Sequence, residues 1–526
     1  MVYAFTLPTT SPLSFQSFIT SSTHPSLPQS ATTARHALRL ALKAHKRLPR
    51  GPRQDAHLPT VLAALNDYIP YLFTILNGLN GRLAHTDTYP APQDGYTTGG
   101  PNIRTGEAVD ITTHAEIESA WRYTLSSSSG LNIATDGLRT RNGRISGRGI
   151  HYELGFTLTT LGYVLSRLAR QGVLASLYAS STPTAEDRTA AMQTATRYLL
   201  QASSVHNLLA SSPSLTATGS TAPELDSATQ SALASLALAE ATLLAVLKDD
   251  AYVAACIQSR NPNDTEWMVH APEIPKVRAL LFARLCVRAA EYAEQAAAGL
   301  GAVGSTTGRA GRVDEDLVRY TGVLARVARG RACRFFGIDA ELAGRTGEGI
   351  AWLQAARTSL GLRGVGCSQN ESAGSAKGGL SRLKREWTER REDRRVAKDA
   401  GGSRSEKGPL DAGDDAGRSE EGRVITMLET KWVKMNDTIN TQIIPPSAPL
   451  LSNLPSGRDI HSPPPPYQPP SLDEDQLMRM RAPPDERNDA QFGGSDDSED
   501  EVLQSDQRGP PGGFPDRSAT ASSVYY

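Results

Sequence analysis

The chain has 526 residues, with 55 Lys and Arg against 56 Asp and Glu for a net charge of −1. So even a balance excludes a global field drawing it to nucleic acid or an anionic bilayer, and leaves only local contacts of that kind. Cys256, Cys286, Cys333 and Cys367 lie far apart, with no Cys-x-x-Cys pair and no Cys/His cluster. That spacing excludes a disulfide framework and a structural zinc site, and no metal or cofactor is expected.

Met1–Phe5 has neither a basic region nor a long apolar run, and no stretch reaches the roughly twenty apolar residues of a membrane span. A soluble chain inside the cell is expected, its membrane association borrowed from partners. Tyr3, Phe5 and Leu7 alternate ahead of Pro8 and predict one short strand. From Ala34 onward Leu38, Leu42 and His45 fall four and three apart, the spacing of an amphipathic helix. A second helix is expected over Leu58–Leu79, interrupted by Pro70 and stopped by Gly78 and Gly81, and a loop over Thr86–Arg104. Tyr152–Leu174 places Leu154, Leu158, Leu161, Leu165 and Leu168 along one stripe. Ala185–Leu209 opens with Glu186 and Asp187, which suit a helix N-terminus. Helical text continues over Glu224–Leu247, Pro275–Ala298, Val313–Phe336 and Gly347–Leu360.

Strand signals are scarce, so successive helices with short polar joints predict an all-α solenoid or bundle. After Leu362 the composition changes. Residues 363–379 are rich in Gly and Ser, Leu380–Lys398 reads as a charged helix, 399–421 as a loop, and Glu421–Met435 as a last helix. Beyond Gly457 prolines cluster and acids accumulate at Asp496–Glu501, a composition that cannot bury enough apolar surface to fold. One helical domain over 1–457 and a disordered tail over 458–526 are expected.

Catalytic patterns are missing: there is no phosphate-binding G-x-x-x-x-G-K-[ST], no H-E-x-x-H and no G-x-S-x-G, so no enzyme is expected. Gly299–Gly304 has the outline of G-x-G-x-x-G but follows a helix rather than a strand, and reads as a flexible interhelical loop. His151 and His206 fit structural histidines on apolar faces. Interaction motifs are more informative. Pro464, Pro465, Pro466 and Tyr467 fit P-P-x-Y, which WW domains read in polyproline II geometry; a plain proline-rich spacer fits the same text. Leu380, Leu383 and Trp387 form a narrow apolar stripe beside Arg385. Either Trp387 packs down on the helical domain, or Arg385 and Trp387 form an exposed anchor pair for an acidic amphipathic helix.

Several segments together resemble the Bro-domain family, in its branch of fungal regulators of ambient-pH signalling. Phe5-Thr6-Leu7-Pro8-Thr9-Thr10 is one, and Leu236-Ala237-Leu238-Ala239-Glu240-Ala241 is similar to that domain's Leu-Ala-Gln-Ala-Gln-Glu helix. Arg331–Ile338, Gly347–Leu353, Arg385-Glu386-Trp387 and Lys434-Met435-Asn436-Asp437-Thr438-Ile439 with Ile444-Pro445 complete the set, in family order over roughly residues 1–457. The resemblance implies a boomerang-shaped helical solenoid with a tetratricopeptide-like core and a small N-terminal β element. It also implies binding of the C-terminal amphipathic helix of the Snf-seven-type ESCRT-III subunit, contacts with other pH-signalling components, and recruitment to plasma-membrane-associated cortical sites or endosomes. By position, Leu236, Leu243, Ile350 and Leu353 would line the apolar groove, with Arg385 and Trp387 as further contacts; the same leucines fit a buried core. The implied function is a scaffold supporting proteolytic activation of a pH-responsive transcription factor. The alternative is an endosomal cargo-sorting adaptor that recruits a WW-domain ubiquitin ligase through Pro464, Pro465 and Tyr467.

Overall fold

The computed structural model describes residues 2–84, 107–125, 144–178, 184–212, 214, 222–258, 276–303, 313–362, 413–461 and 464–483. The expected loops over 86–104 and 363–379, the charged helix Leu380–Lys398 and the acidic run Asp496–Glu501 lie outside the described residues.

Helices α1 (Leu27–Arg47), α2 (Pro52–Asp55) and α3 (Leu58–Leu79) open the fold. Leu38, Leu42 and His45 of α1 are buried, as their spacing predicts, and α1 packs on α3. Pro70 lies inside α3 and does not interrupt it. Helix α4 (Ile150–Leu177) is buried on almost every side and is the central element. Its polar residues manage that burial locally: the Thr157 and Thr160 hydroxyls donate to the Glu153 and Phe156 carbonyls one turn back.

From there the chain stacks helix on helix. Helix α5 (Ala185–Ser211) packs on α4, α6 (Ser227–Leu247) on α5, and α8 (Lys276–Ala302) on α6. Then α9 (Glu315–Leu342) packs on α8, α10 (Thr346–Leu360) on α9, and α11 (Arg418–Met435) on α10, while the short α7 (Ala251–Gln258) lies against α11. Three of these helices start at a side-chain cap. Thr184 accepts from the Asp187 N–H, Asp226 from Ala228 and Thr229, and Asp314 from Asp316. Helix α6 is long and apolar enough to cross a membrane, but 83% of that window is buried inside the protein. It is a core helix.

Four further expectations need correction. Tyr3–Leu7 forms no strand; Val2, Phe5 and Leu7 are buried as an extended peptide, with Phe5 stacked on Tyr163 at 4.6 Å. The strands are elsewhere, in two antiparallel pairs: β1 (Ile19–Thr20) with β2 (Thr112–Thr113), and β3 (Glu118–Trp121) with β4 (Ile145–Arg148). Gly299 and Gly301 are not in a loop but inside α8, where a Cβ on Gly299 would lie 3.1 Å from the Ala232 Cβ of α6. The glycine permits that close crossing. The region 399–421 is not loop to its end, since α11 begins at Arg418 and buries Glu420 and Glu421. Finally, the compact unit does not stop at 457. It continues to Arg481, and α12 (Ala448–Ser452) and α13 (Glu474–Met480) belong to it. Leu472, Leu477 and Met480 are buried, which supplies the apolar anchors that a proline-rich composition conceals.

One buried carboxyl makes stability depend on pH. Glu240 of α6 accepts from the Tyr3 backbone N–H and the Tyr320 hydroxyl, both at 2.9 Å. Burial outweighs these bonds and pushes its pKa from 4.5 to about 7. The folded chain therefore holds a proton that the unfolded chain releases above pH 4.5. The contribution is full below the unfolded value and is lost as pH rises through about 7; the total is about 3 kcal/mol. Glu240→Gln keeps an acceptor for both donors and removes the ionisation. Its melting temperature should vary less between pH 5 and pH 8 than that of the unaltered chain; equal slopes would place the titration elsewhere.

Candidate partner-binding site

The four residues expected to line the groove are core residues. Leu236 and Leu243 are 1% and 5% exposed on α6, and Ile350 and Leu353 are both 0% exposed on α10. The pairs also sit on helices with different neighbours, α5 and α8 for the first, α9 and α11 for the second. They do not line one groove on the described surface. Arg385 and Trp387 lie outside the described residues.

Family-like text turns out to mark helix crossings. Gly337 of α9 and Gly349 of α10 face each other, and a Cβ on either would lie 3.1 Å from the other's carbonyl oxygen and 3.4 Å from the Trp432 ring. Asn436 closes the following turn: its amide donates to the Gln442 carbonyl and its oxygen accepts from the Gln442 N–H, each at 3.0 Å. Gln442 in turn accepts from the Gly347 N–H at 3.0 Å. The motifs at 331–338, 347–353 and 434–439 thus meet in one packed corner.

The surface feature sits on the other side of α6. Ser231, Ala234, Leu238, Ala241 and Ala245 recur three and four apart, opposite Leu236 and Leu243; Ser231 is exposed and Leu238 and Ala245 half-buried, while Ala234 and Ala241 are buried between them. Small side chains make this a low stripe on α6, which packs on α5 and on α8.

A segment of the chain itself crosses that stripe. Gly457 approaches α8 so closely that a Cβ would lie 2.7 Å from the Arg288 Cα and N. Arg458 donates its N–H to the Arg284 carbonyl, and the Arg284 side chain donates to the Ser456 carbonyl, both at 3.1 Å. Asp459 accepts from the Arg288 Nε and from the Tyr292 hydroxyl, each at 2.7 Å. The Tyr292 and Arg288 hydrogen bonds hold the Asp459 carboxyl below its usual range. His461 bonds to the Ala241 backbone, and burial lowers its pKa.

Pro464–Tyr467 then lies over a cleft of about 490 Å³ shared with Ser204, Asn207 and Leu208 of α5 and Ser227 and Ser231 of α6. Burial pushes the Tyr467 phenol up to about 12. Asp473 closes a capping box with Gln476 at the start of α13, and Arg481 pairs with Glu107. Sequence reading singled out Tyr467 but not the surface beneath it. No group of titratable side chains among the described residues is spaced to hold a metal ion.

No family model matches the chain. It is 58% identical over 528 residues to the pH-response regulator protein palC of Emericella nidulans (strain FGSC A4), with 100% of both chains covered. Among solved structures it is similar to ALIX in complex with the SIVmac239 PYKEVTEDL late domain, at 14% identity and a TM-score of 0.50. That match covers 92% of this chain and 51% of the other, and shows a common fold. The ALIX BRO1 CHMP4C complex matches at 13% identity and a TM-score of 0.49, over 89% and 96% of the two chains.

Proposed function

The chain belongs to the palC family of pH-response regulators, and on that premise we propose that it works there as a non-enzymatic adaptor. Its helical domain takes the C-terminal amphipathic helix of the Snf-seven-type ESCRT-III subunit, and so supports proteolytic activation of the pH-responsive transcription factor at cortical or endosomal sites. The observation that carries this reading is the low stripe on α6. Its three-and-four spacing matches the apolar face of an incoming helix. The α8 rim supplies Arg284 and Arg288, and Asp459 already shows that Arg288 accepts an acidic partner. Rim charges of this kind set register and encounter rate more than affinity. Arg385 and Trp387 stay proposed as further contacts.

Leu238→Asp tests the stripe in a calorimetric titration of the full chain with that ESCRT-III helix. We expect at least tenfold weaker binding with little change in melting temperature, because Leu238 is only half-buried. Unchanged affinity would remove the stripe from the binding site. The cargo-sorting alternative needs Tyr467 free to enter a WW-domain pocket, and it is packed against the helical domain.

A further inference from the structure

We propose that Ser456–His461 and Pro464–Tyr467 form a displaceable ligand in cis for the face formed by α5, α6 and α8, and that their seating withholds the Pro-Pro-x-Tyr motif from proline-reading domains. A WW-type groove reads the proline faces and inserts the tyrosine ring into a pocket. Here that ring lies half-buried against α5 and α6, so the two engagements exclude each other.

The contacts look built for release. Prolines carry no N–H, so Pro464–Pro466 cannot donate a backbone hydrogen bond that would fix the motif to the helices. The Asp459 clamp is half-exposed, and exposed pairs of this kind contribute little and weaken in salt. Beneath the strap, α5 and α8 are each already packed on α6 and need no strap to complete that packing. The far end behaves differently. Leu477 and Met480 are buried, so α13 tethers the segment and keeps it at high local concentration after it lifts. A partner must therefore outcompete a tethered ligand. The inference concerns the strap and its seat, and stands whether or not an ESCRT-III helix is the partner.

The test uses the full chain with Gly457→Val, whose side chain would meet the α8 backbone, combined with Asp459→Arg. One probe is a labelled synthetic peptide of residues 455–471; the other is an isolated WW domain of the class that reads Pro-Pro-x-Tyr. The released chain should bind each probe at least tenfold more tightly than the unaltered chain. Adding Ser231→Arg to the released chain should abolish peptide binding and leave WW binding in place. Equal peptide affinity for both forms, or none for a released chain that still melts normally, overturns the cis ligand. A WW domain that binds both forms alike, or neither, overturns the withholding. Should Gly457→Val lower the melting temperature, Asp459→Arg alone carries the same comparison, since its site is exposed. An ESCRT-III helix that fails to compete with the labelled peptide would count against the proposed function only.

Discussion

Arg334→Leu should cost about 3–5 kcal/mol of folding stability, because it strands the Asp250 carboxylate where water cannot reach it and leaves Glu421 with Arg331 alone. Arg334 of α9 points into the contact with α7 and α11, where Asp250 and Glu421 are both 0% exposed. Its Nε donates to Glu421 and its Nη2 to Asp250, and its guanidinium stacks over Phe335 at 4.4 Å. Arg331, one turn earlier, donates to the second Glu421 oxygen at 3.0 Å. Two cations thus face two anions, and the cluster is neutral. Burial alone would raise the Glu421 pKa, but Arg334 and Arg331 outweigh it and hold the carboxyl below its usual range. Its stabilising contribution is accordingly present above the ordinary carboxylate range and is lost as pH falls through the depressed value. Arg331→Leu should be milder, about 1.5–3 kcal/mol, since Glu421 keeps Arg334. Denaturant titrations of the two variants decide the order. Equal losses would mean that the two arginines share the pairing, and a larger loss from Arg331→Leu would mean that Arg331 carries it.

Helical spacing made most of this fold legible. The stripes of α1 and α4 pointed inward as written, because each of those helices has one consistently apolar face or is buried throughout. Helix α6 defeated the same reasoning. It is buried on nearly every side, so the positions that the family resemblance assigned to a groove, Leu236 and Leu243, fall in the core, whereas the more exposed face carries Ser231, Leu238 and Ala245. Spacing finds large side chains, and a low docking face is defined by small ones. The strap was hidden for a different reason. Gly457 and Arg458 hold it through backbone approach, Asp459 through one charge, and the far end through Leu472 and two residues of α13, Leu477 and Met480, among many prolines. Its seat on α8 lies about 170 residues away in sequence, beyond any local pattern. The family-like motifs were visible for what turned out to be packing reasons, as the Gly337–Gly349 crossing and the Asn436 turn show.

Glu153→Leu should be as damaging as the loss of Arg334, about 3–5 kcal/mol, and for the opposite charge. Glu153 stands in the first turn of α4 with no exposed surface. Its oxygens accept from the Arg35 Nε at 2.8 Å, the Tyr68 hydroxyl at 3.1 Å and the Trp121 Nε1 at 2.7 Å. Those donors come from α1, α3 and β3, so one carboxylate joins four elements. Arg35 also donates to the Ser11 carbonyl and the Thr10 hydroxyl, both at 2.6 Å, which draws in the N-terminal peptide. Burial would raise the Glu153 pKa, but Arg35 and the Trp121 bond overcome it and leave it lowered. Stability from this group should therefore be present above the usual carboxylate pKa and be lost as pH falls through the lowered one. Removing the carboxylate leaves Arg35 charged and buried. A double variant, Glu153→Leu with Arg35→Met, should lose less than the sum of the two single losses, because neither charge is then stranded. Additive losses in that cycle would show that the hydrogen bonds of Tyr68 and Trp121, rather than the ion pair, hold the N-terminal half together.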